Sequence, residues 1–141
     1  MDILIVEDEG DILDFLRSYF ADRGHTVMTA STVEESMGWL RAAAPDLALV
    51  DLRLPHGHGR MIVKAIKDRH LATKIAVVTA CDDLDVRREL LGCGVDHYLF
   101  KPVALKDLEA LLTIPRHDST YSDGNIPSPS RSNGLEGEES T

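Results

Sequence analysis

Short runs of apolar and β-branched residues recur along the chain and predict β-strands. Three runs are continuous: residues 3–6 (ILIV), 47–50 (LALV) and 75–78 (IAVV). Continuous runs of this length are typical of strands buried on both faces, as in a parallel sheet. The more mixed run 26–29 (TVMT) favours an edge strand, and a fifth candidate covers residues 95–100.

Between these strands, apolar residues recur at the spacing of amphipathic helices. Five helices are marked by Ile12, Phe15, Leu16 and Phe20; Val33, Met37 and Leu40; Met61, Ile62, Ala65 and Ile66; Leu84, Leu90 and Leu91; and Leu105, Leu108, Leu111 and Leu112. Thr32 and Glu35 have the spacing of a capping box, and Gly24 and Gly92 are predicted helix stops. This alternation predicts a doubly wound α/β domain, in which ligands bind at the carboxyl ends of the strands.

Composition indicates one soluble domain followed by a segment of different character. The chain has 141 residues, of which 43% are apolar and 28% charged, with a net charge of −9. This acidic balance argues against nucleic-acid binding, and no apolar run is long enough to span a membrane. Two cysteines and no signal-peptide pattern predict a cytoplasmic setting. Residues 113–141 are poor in apolar residues and predict a disordered tail or linker, which leaves a domain over residues 1–112.

Charged and polar side chains lie where the predicted strands end. Glu7 and Asp8 follow the first strand, Asp51 follows the third, Thr79 ends the fourth and Lys101 follows the fifth. If these strands are neighbours, three carboxylates meet in one cleft, where either a pKa rises or a cation binds. Oxygen ligands favour Mg²⁺, and the first turn is acidic rather than a glycine-rich phosphate cradle. The chemistry that fits is phosphoryl transfer to an aspartate, with the ammonium and hydroxyl groups holding phosphoryl oxygens.

The complete set resembles the receiver domain of response regulators in two-component signalling, over about residues 2–112. The supporting stretches are LIVEDE (4–9), VDLRLP (50–55) and GVDHYLFKP (94–102). The resemblance implies a CheY-like, flavodoxin-like fold: a five-stranded parallel sheet of order 2-1-3-4-5 with five helices. It also implies that Asp51 is the phosphoacceptor. Mg²⁺ would be bound directly by Asp8 and Asp51, through water by Glu7, and by the backbone carbonyl of Arg53.

The resemblance implies further roles at the site. Lys101 pairs with the phosphoryl group, and its peptide bond to Pro102 is cis. Thr79 and Tyr98 form the switch that responds to phosphorylation. The phosphoryl donor would be the phosphohistidine of a sensor kinase, a phosphotransfer protein of a phosphorelay, or a small phosphodonor. Hydrolysis would be slow, so the domain would phosphorylate and dephosphorylate itself without being a conventional multiple-turnover enzyme.

The predicted output surface comprises the fourth helix, the fifth strand and the fifth helix. It would bind a downstream effector protein or a second copy of the chain. The residues expected on this face are Arg87, Arg88, Asp96 and Lys106.

Some residues depart from the family pattern. His58 stands where many relatives have an acidic or amide residue, and Arg53 and Cys81 occupy the two positions that tune dephosphorylation in the family. We expect the Arg53 guanidinium to alter the lifetime of the phosphoryl group by affecting the attacking water, and His58 to change the charge near the pocket and the contact with the kinase.

Two other functions fit part of the pattern. One is a receiver-like adaptor that binds partners without being phosphorylated, but the complete set of acidic residues, Thr79 and Lys101 argues against it. The other is a flavodoxin-type cofactor binder, which the acidic first turn disfavours. A single aspartate at a strand end is often only a helix cap. The prediction therefore depends on the whole set.

Overall fold

In the computed structural model of the protein, residues 1–80 and 83–113 are described. Over these residues the chain forms a five-stranded parallel sheet, a two-stranded hairpin and five helices. The strands of the sheet are β1 (Asp2–Val6), β2 (Thr26–Ala30), β3 (Leu47–Asp51), β6 (Lys74–Thr79) and β7 (His97–Phe100). The hairpin strands are β4 (Arg53–Leu54) and β5 (Gly57–His58). The helices are α1 (Gly10–Ala21), α2 (Val33–Ala42), α3 (Arg60–Asp68), α4 (Leu84–Gly92) and α5 (Leu105–Leu112).

The strand order of the sheet is β2-β1-β3-β6-β7. Since β6 and β7 are the fourth and fifth strands of this sheet, the predicted order 2-1-3-4-5 is confirmed. The mixed run starting at Thr26 forms an edge strand, as predicted, and the continuous runs form β1, β3 and β6 in the interior. The predicted tail or linker lies outside the described residues, apart from Thr113.

Helices cover both faces of the sheet because successive strand residues point to opposite sides. One hydrophobic cluster joins α2, α3 and α4 to one face, and includes Leu40, Ile66 and Leu90. The other joins α1 and α5 to the opposite face, and includes Phe20 and Leu108. Full burial of each such side chain stabilises the fold by about 1.5–3 kcal/mol. The two clusters hold the strand ends, and therefore the residues that follow them, in fixed positions.

The helix-start signals act partly as the sequence predicts. The backbone N–H of Glu35 donates to Thr32 Oγ1 at 3.1 Å, which caps α2. The Glu35 carboxylate, however, accepts from the backbone N–H of Ser31 at 2.7 Å rather than from Thr32. Asp83 caps α4 by accepting from the backbone N–H groups of Asp85 and Val86 at 3.0 and 3.2 Å.

The β4–β5 hairpin was not predicted from the sequence. It pairs Arg53 with His58 and Leu54 with Gly57, directly after the third strand of the sheet. His56 in its turn has a φ of 58°, a left-handed conformation unusual for a residue with a side chain. Among the described helices, none is both long enough and apolar enough to cross a bilayer.

Candidate functional site

The candidate site lies at the carboxyl edge of the sheet, where the strand order reverses. β1 and β3 lie side by side, with Val6 paired to Val50. The residues that follow these strands therefore meet at the switch point, which is the usual ligand position in doubly wound sheets.

Lys101 is the cation at the centre of the site. Its Nζ lies 3.0 Å from Asp51 Oδ2 and 3.1 Å from Glu7 Oε2, so one ammonium bridges two carboxylates. The Glu9 carboxylate lies further away, at 3.9 Å. The contact connects the ends of β1, β3 and β7.

Three carboxylates are arranged as a possible cation site. One oxygen atom each from Glu7, Asp8 and Asp51 lies within 4.8 Å of the others. Glu7 and Asp51 are only 1% and 4% exposed, whereas Asp8 is exposed. The cluster is therefore buried on one side and open to solvent on the other. A hard divalent cation with oxygen ligands and retained waters fits such a set.

The electrostatics of the site reflect this crowding. Burial, with the negative charge of Asp51, raises the pKa of Glu7 to about 7, although the hydrogen bond from Lys101 opposes the rise. Burial alone would lower the pKa of Lys101, but its hydrogen bonds to Asp51 and Glu7 outweigh burial and raise that pKa. The ammonium of Lys101 therefore remains charged at neutral pH.

The backbone orients two of the carboxylates. The N–H of Arg53 donates to Asp51 Oδ1 at 3.1 Å, and the N–H of Glu9 donates to Glu7 Oε2 at 3.2 Å. Because Lys101 holds Oδ2 of Asp51, both carboxylate oxygens of this residue have a partner within the described part of the chain.

Gly59 lies very close to the backbone of Asp51 and Leu52. A Cβ at this position would overlap the carbonyl oxygen of Asp51 and lie 2.9 Å from Leu52 Cα and Val50 Cγ1. The N–H of Gly59 also donates to the carbonyl of Leu52 at 2.8 Å. A side chain at residue 59 would therefore displace the strand end that carries Asp51.

Thr79 and Tyr98 lie on neighbouring strands next to the acidic cluster. Thr79 is fully buried, and its carbonyl accepts from the backbone N–H of Lys101 at 2.9 Å. Tyr98 is half-buried with a buried hydroxyl, and it lines a cavity of about 250 Å³ together with Thr79, Arg53 and His58. The peptide bond between Lys101 and Pro102 is cis.

The structure brings together the carboxylates, Lys101 and Thr79 at one edge, with Tyr98 lining the adjacent cavity. Cys81 lies outside the described residues. Sequence reasoning missed the structural role of Gly59 and the pairing of His58 with Arg53. The signal for Gly59 was a glycine eight residues after Asp51, at the start of a predicted helix, but a close approach between distant backbones cannot be inferred from spacing alone.

The fold and the site thus define a doubly wound α/β protein with an acidic centre at its switch point. A sequence profile of the response regulator receiver domain matches residues 3–113. The chain belongs to this family, the receiver domains of two-component systems.

Individual relatives agree with this assignment. The response regulator protein PilR of Pseudomonas aeruginosa is 37% identical over 109 residues, which make up 77% of this chain and 24% of PilR. The transcriptional regulatory protein PhoP of Escherichia coli is 31% identical over 110 residues, which make up 78% of this chain and 49% of PhoP. The chain therefore spans about a quarter to a half of the length of these relatives.

Solved structures show the same architecture. A CheY-like response regulator receiver domain protein from Methanospirillum hungatei is 33% identical, with a TM-score of 0.73 over 79% of this chain and 89% of that one. A two-component response regulator from Clostridium difficile is 26% identical, with a TM-score of 0.74 over 79% of this chain and 92% of that one.

Proposed function

We propose that this receiver is a phosphorylation-dependent switch in which Asp51 is the phosphoacceptor. The observation that carries the proposal is the contact of 3.0 Å between Lys101 Nζ and a buried Asp51 carboxylate inside an acidic cluster. The lysine offers a fixed positive charge where a phosphoryl oxygen would arrive, and the aspartate offers a nucleophile.

The donor set fits the Mg²⁺ ion that the family implies. Asp8 and Asp51 would bind it directly, Glu7 through water, and Arg53 through its backbone carbonyl. The geometry supports this assignment, because one oxygen atom each from Glu7, Asp8 and Asp51 lies within 4.8 Å of the others, and a cation would relieve the repulsion among them. When bound, the ion neutralises negative charge on the phosphoryl oxygens.

The residues of the chain have separate tasks in the transfer. One carboxylate oxygen of Asp51 attacks the phosphorus atom of a phosphohistidine, and a new P–O bond forms as the P–N bond breaks. The leaving imidazole nitrogen keeps the electron pair. Lys101 pairs with a phosphoryl oxygen, and the Thr79 hydroxyl donates to another.

Slow attack by water would later return Asp51 to its free carboxylate. Arg53 is exposed and lies two residues after Asp51, the last residue of β3. Its guanidinium would therefore alter the path of that water. The hydrolysis rate of Arg53→Asn should therefore differ from that of the wild type, and an equal rate would remove this role for Arg53.

Phosphorylation would act by shifting an existing equilibrium between two states of the domain. Thr79 and Tyr98 would move together, and the face formed by α4, β7 and α5 would change with them. We infer that a sensor histidine kinase or phosphotransfer protein supplies the phosphoryl group, and that this face binds an effector or a second copy. The responding unit would be residues 1–112, which end with α5.

A phosphorylation assay tests the proposal directly. The protein is incubated with Mg²⁺ and acetyl phosphate or phosphoramidate, and the intact mass is measured. We expect one added phosphoryl group in the wild type and none in Asp51→Asn. The matched control is Asp14→Asn, because Asp14 is an exposed aspartate on α1 that pairs only with the exposed Arg17 in the described chain.

The same assay separates the competing functions. A wild-type protein that gains no mass would favour an adaptor that works by binding alone. A yellow preparation containing flavin would favour a cofactor binder. A mass gain that persists in Asp51→Asn would mean that a different residue is the acceptor.

A further inference from the structure

An arginine of α4 packs over two aromatic rings of β7. The guanidinium carbon of Arg87 lies 5.4 Å from the ring centroid of Phe100 and 5.8 Å from that of Tyr98. The two rings are tilted by 58°, with centroids 5.4 Å apart. All three side chains are half-buried, so this is a partly desolvated contact between a cation and two aromatic rings.

The sequence explains why these rings form a pair. Tyr98 and Phe100 are two residues apart on a strand and therefore point to the same face of the sheet. β7 is an edge strand, and α4 packs on this face through Leu90, whose cluster Tyr98 joins. Within the described residues Arg87 forms no ion pair, and its guanidinium lies over the two rings.

The ring pair is directly connected to the site. Phe100 is the register partner of Thr79 in the β6–β7 pairing, and Lys101 follows it in the chain. Tyr98 lines the same cavity of about 250 Å³ as Thr79, and its hydroxyl is buried. A change in the position of these rings would therefore affect Thr79 and Lys101, the two residues assigned above to the phosphoryl oxygens.

We propose that Arg87 is a positioning residue of the switch: its cation holds Tyr98 and Phe100 so that the buried position of the Tyr98 hydroxyl is favoured before any phosphoryl group is present. This inference rests on the proposed function, since it concerns the equilibrium that phosphorylation shifts. α4 carries the arginine and is also part of the proposed output face. The contact therefore couples the arrangement of the rings to the position of that helix.

The expected direction of the change in phosphoryl binding follows from linkage. We take the arrangement held by Arg87 to be the one that binds a phosphoryl group better. Removal of the Arg87 side chain then reduces the population of this competent state and weakens apparent binding by the same factor. A contact of this kind corresponds to a change of about two- to fivefold.

The experiment measures binding of a phosphoryl analogue. Wild type, Arg87→Ala, Arg87→Lys and Arg88→Ala are titrated with beryllium fluoride in the presence of Mg²⁺. Binding is followed by ¹⁹F NMR of fluorotyrosine-labelled protein, with the Tyr98 signal assigned through Tyr98→Phe. Arg88 is the matched control, since it is an exposed arginine at the next position of α4.

We expect Arg87→Ala to weaken apparent binding by about two- to fivefold and to shift the Tyr98 signal of the free protein. Arg87→Lys should lie between Arg87→Ala and the wild type, because it keeps the charge but loses the planar group. Arg88→Ala should match the wild type. A general loss of stability, unrelated to the contact of Arg87 with the two rings, would not produce this ranking of the three variants.

Two outcomes of this experiment would contradict different proposals. Equal or tighter binding in Arg87→Ala, or the same loss in Arg88→Ala, would overturn the role of Arg87 and leave the phosphoacceptor proposal standing. No binding by the wild type, together with no mass gain from acetyl phosphate, would overturn the proposed function and this inference with it.

Discussion

The two edges of the sheet use the same residue types in opposite ways. At the amino edge, the carboxylates of Asp46 and Asp96 accept backbone N–H groups, from Asp2 at 2.7 Å and from Ile75 at 2.9 Å. At the carboxyl edge, carboxylates crowd together around one ammonium. Glu7 and Asp51 also accept backbone N–H groups, but they lie within 4.8 Å of each other and of Asp8, and such a cluster attracts a further cation. The difference shows that the arrangement of charges, more than their number, marks the functional edge.

The lysines at the two edges repeat this contrast. Lys74 begins β6, is only 7% exposed, and has its pKa lowered by burial, with the charge of Asp96 opposing the change. Lys101 lies beyond the end of β7, and its two carboxylate partners raise its pKa despite burial. One lysine is a poorly favoured cation, and the other is a strongly favoured one.

The largest expected effect comes from replacing one aspartate at each edge by asparagine, in separate variants. Asp51→Asn should abolish Mg²⁺-dependent phosphoryl incorporation, whereas Asp96→Asn should retain it, as measured by intact mass. Stability should change in opposite directions. Without metal, Asp51→Asn should raise the melting temperature, because it relieves repulsion with Glu7. Asp96→Asn should lose about 1–2 kcal/mol, because it weakens the hydrogen bond from Ile75. Equal stability changes at the two edges would contradict the comparison.

The second test replaces the lysine at each edge by methionine, one at a time. Lys101→Met should lower the free energy of unfolding by about 3 kcal/mol without metal, since Glu7 and Asp51 lose their shared cation. Lys74→Met should change it by less than about 1 kcal/mol, because the buried charge is already disfavoured. Urea unfolding at neutral pH measures both values. Added Mg²⁺ should reduce the loss for Lys101→Met, and a loss independent of Mg²⁺ would contradict the assignment of the cation site.

A third test concerns the backbone beneath the crowded edge. Gly59→Ala should cost about 2 kcal/mol, because its Cβ would overlap the Asp51 carbonyl. Gly10→Ala is the matched control, since a Cβ at Gly10 meets no atom within 4 Å. It should be neutral or slightly stabilising, as alanine is the better helix former. Thermal unfolding compares the two, and equal behaviour would exclude the close approach as a constraint.

The smallest expected effect is the pH dependence of metal binding. The pKa of Glu7 is raised from 4.5 to about 7, so this carboxyl is mostly protonated at pH values somewhat below neutrality. Binding of Mg²⁺ should therefore strengthen as pH rises, by about tenfold over two pH units centred on this value. Calorimetry measures the change.

Two variants serve as controls for the pH test. Glu7→Gln should flatten the profile, and Asp46→Asn at the amino edge should leave it intact. Without metal, Glu7 binds its proton more tightly in the folded state, so its contribution to stability is full below pH 4.5 and is lost as pH rises through about 7. A wild-type profile as flat as that of Glu7→Gln would show that Glu7 does not titrate in this range.

Much of the fold could be predicted because its signals are local. The continuous apolar runs mark β1, β3 and β6, and Thr32 marks the start of α2 through its own capping bond. The residues brought together at the carboxyl edge could also be predicted, because parallel strands place their ends at one edge.

Other features depend on tertiary contacts that no local pattern encodes. Ser36 is fully buried although it is polar, because its hydroxyl donates to the Val33 carbonyl at 2.6 Å. Met61 shares the helical spacing of Ile62 yet is 50% exposed. The β4–β5 hairpin contains residues of weak strand propensity, and it forms because the chain must fold back between β3 and Gly59.

The pairing of β1 beside β3 has a consequence for the reliability of signalling. The carboxylates that meet at the switch point come from chain segments far apart in sequence, and they are adjacent only when these two strands are in register. An unfolded molecule, or one with these strands out of register, lacks the acidic cluster at which we propose that the phosphoryl group is accepted. Under the proposed function, only correctly folded copies would accept a phosphoryl group, so phosphorylation would report that the protein is correctly folded.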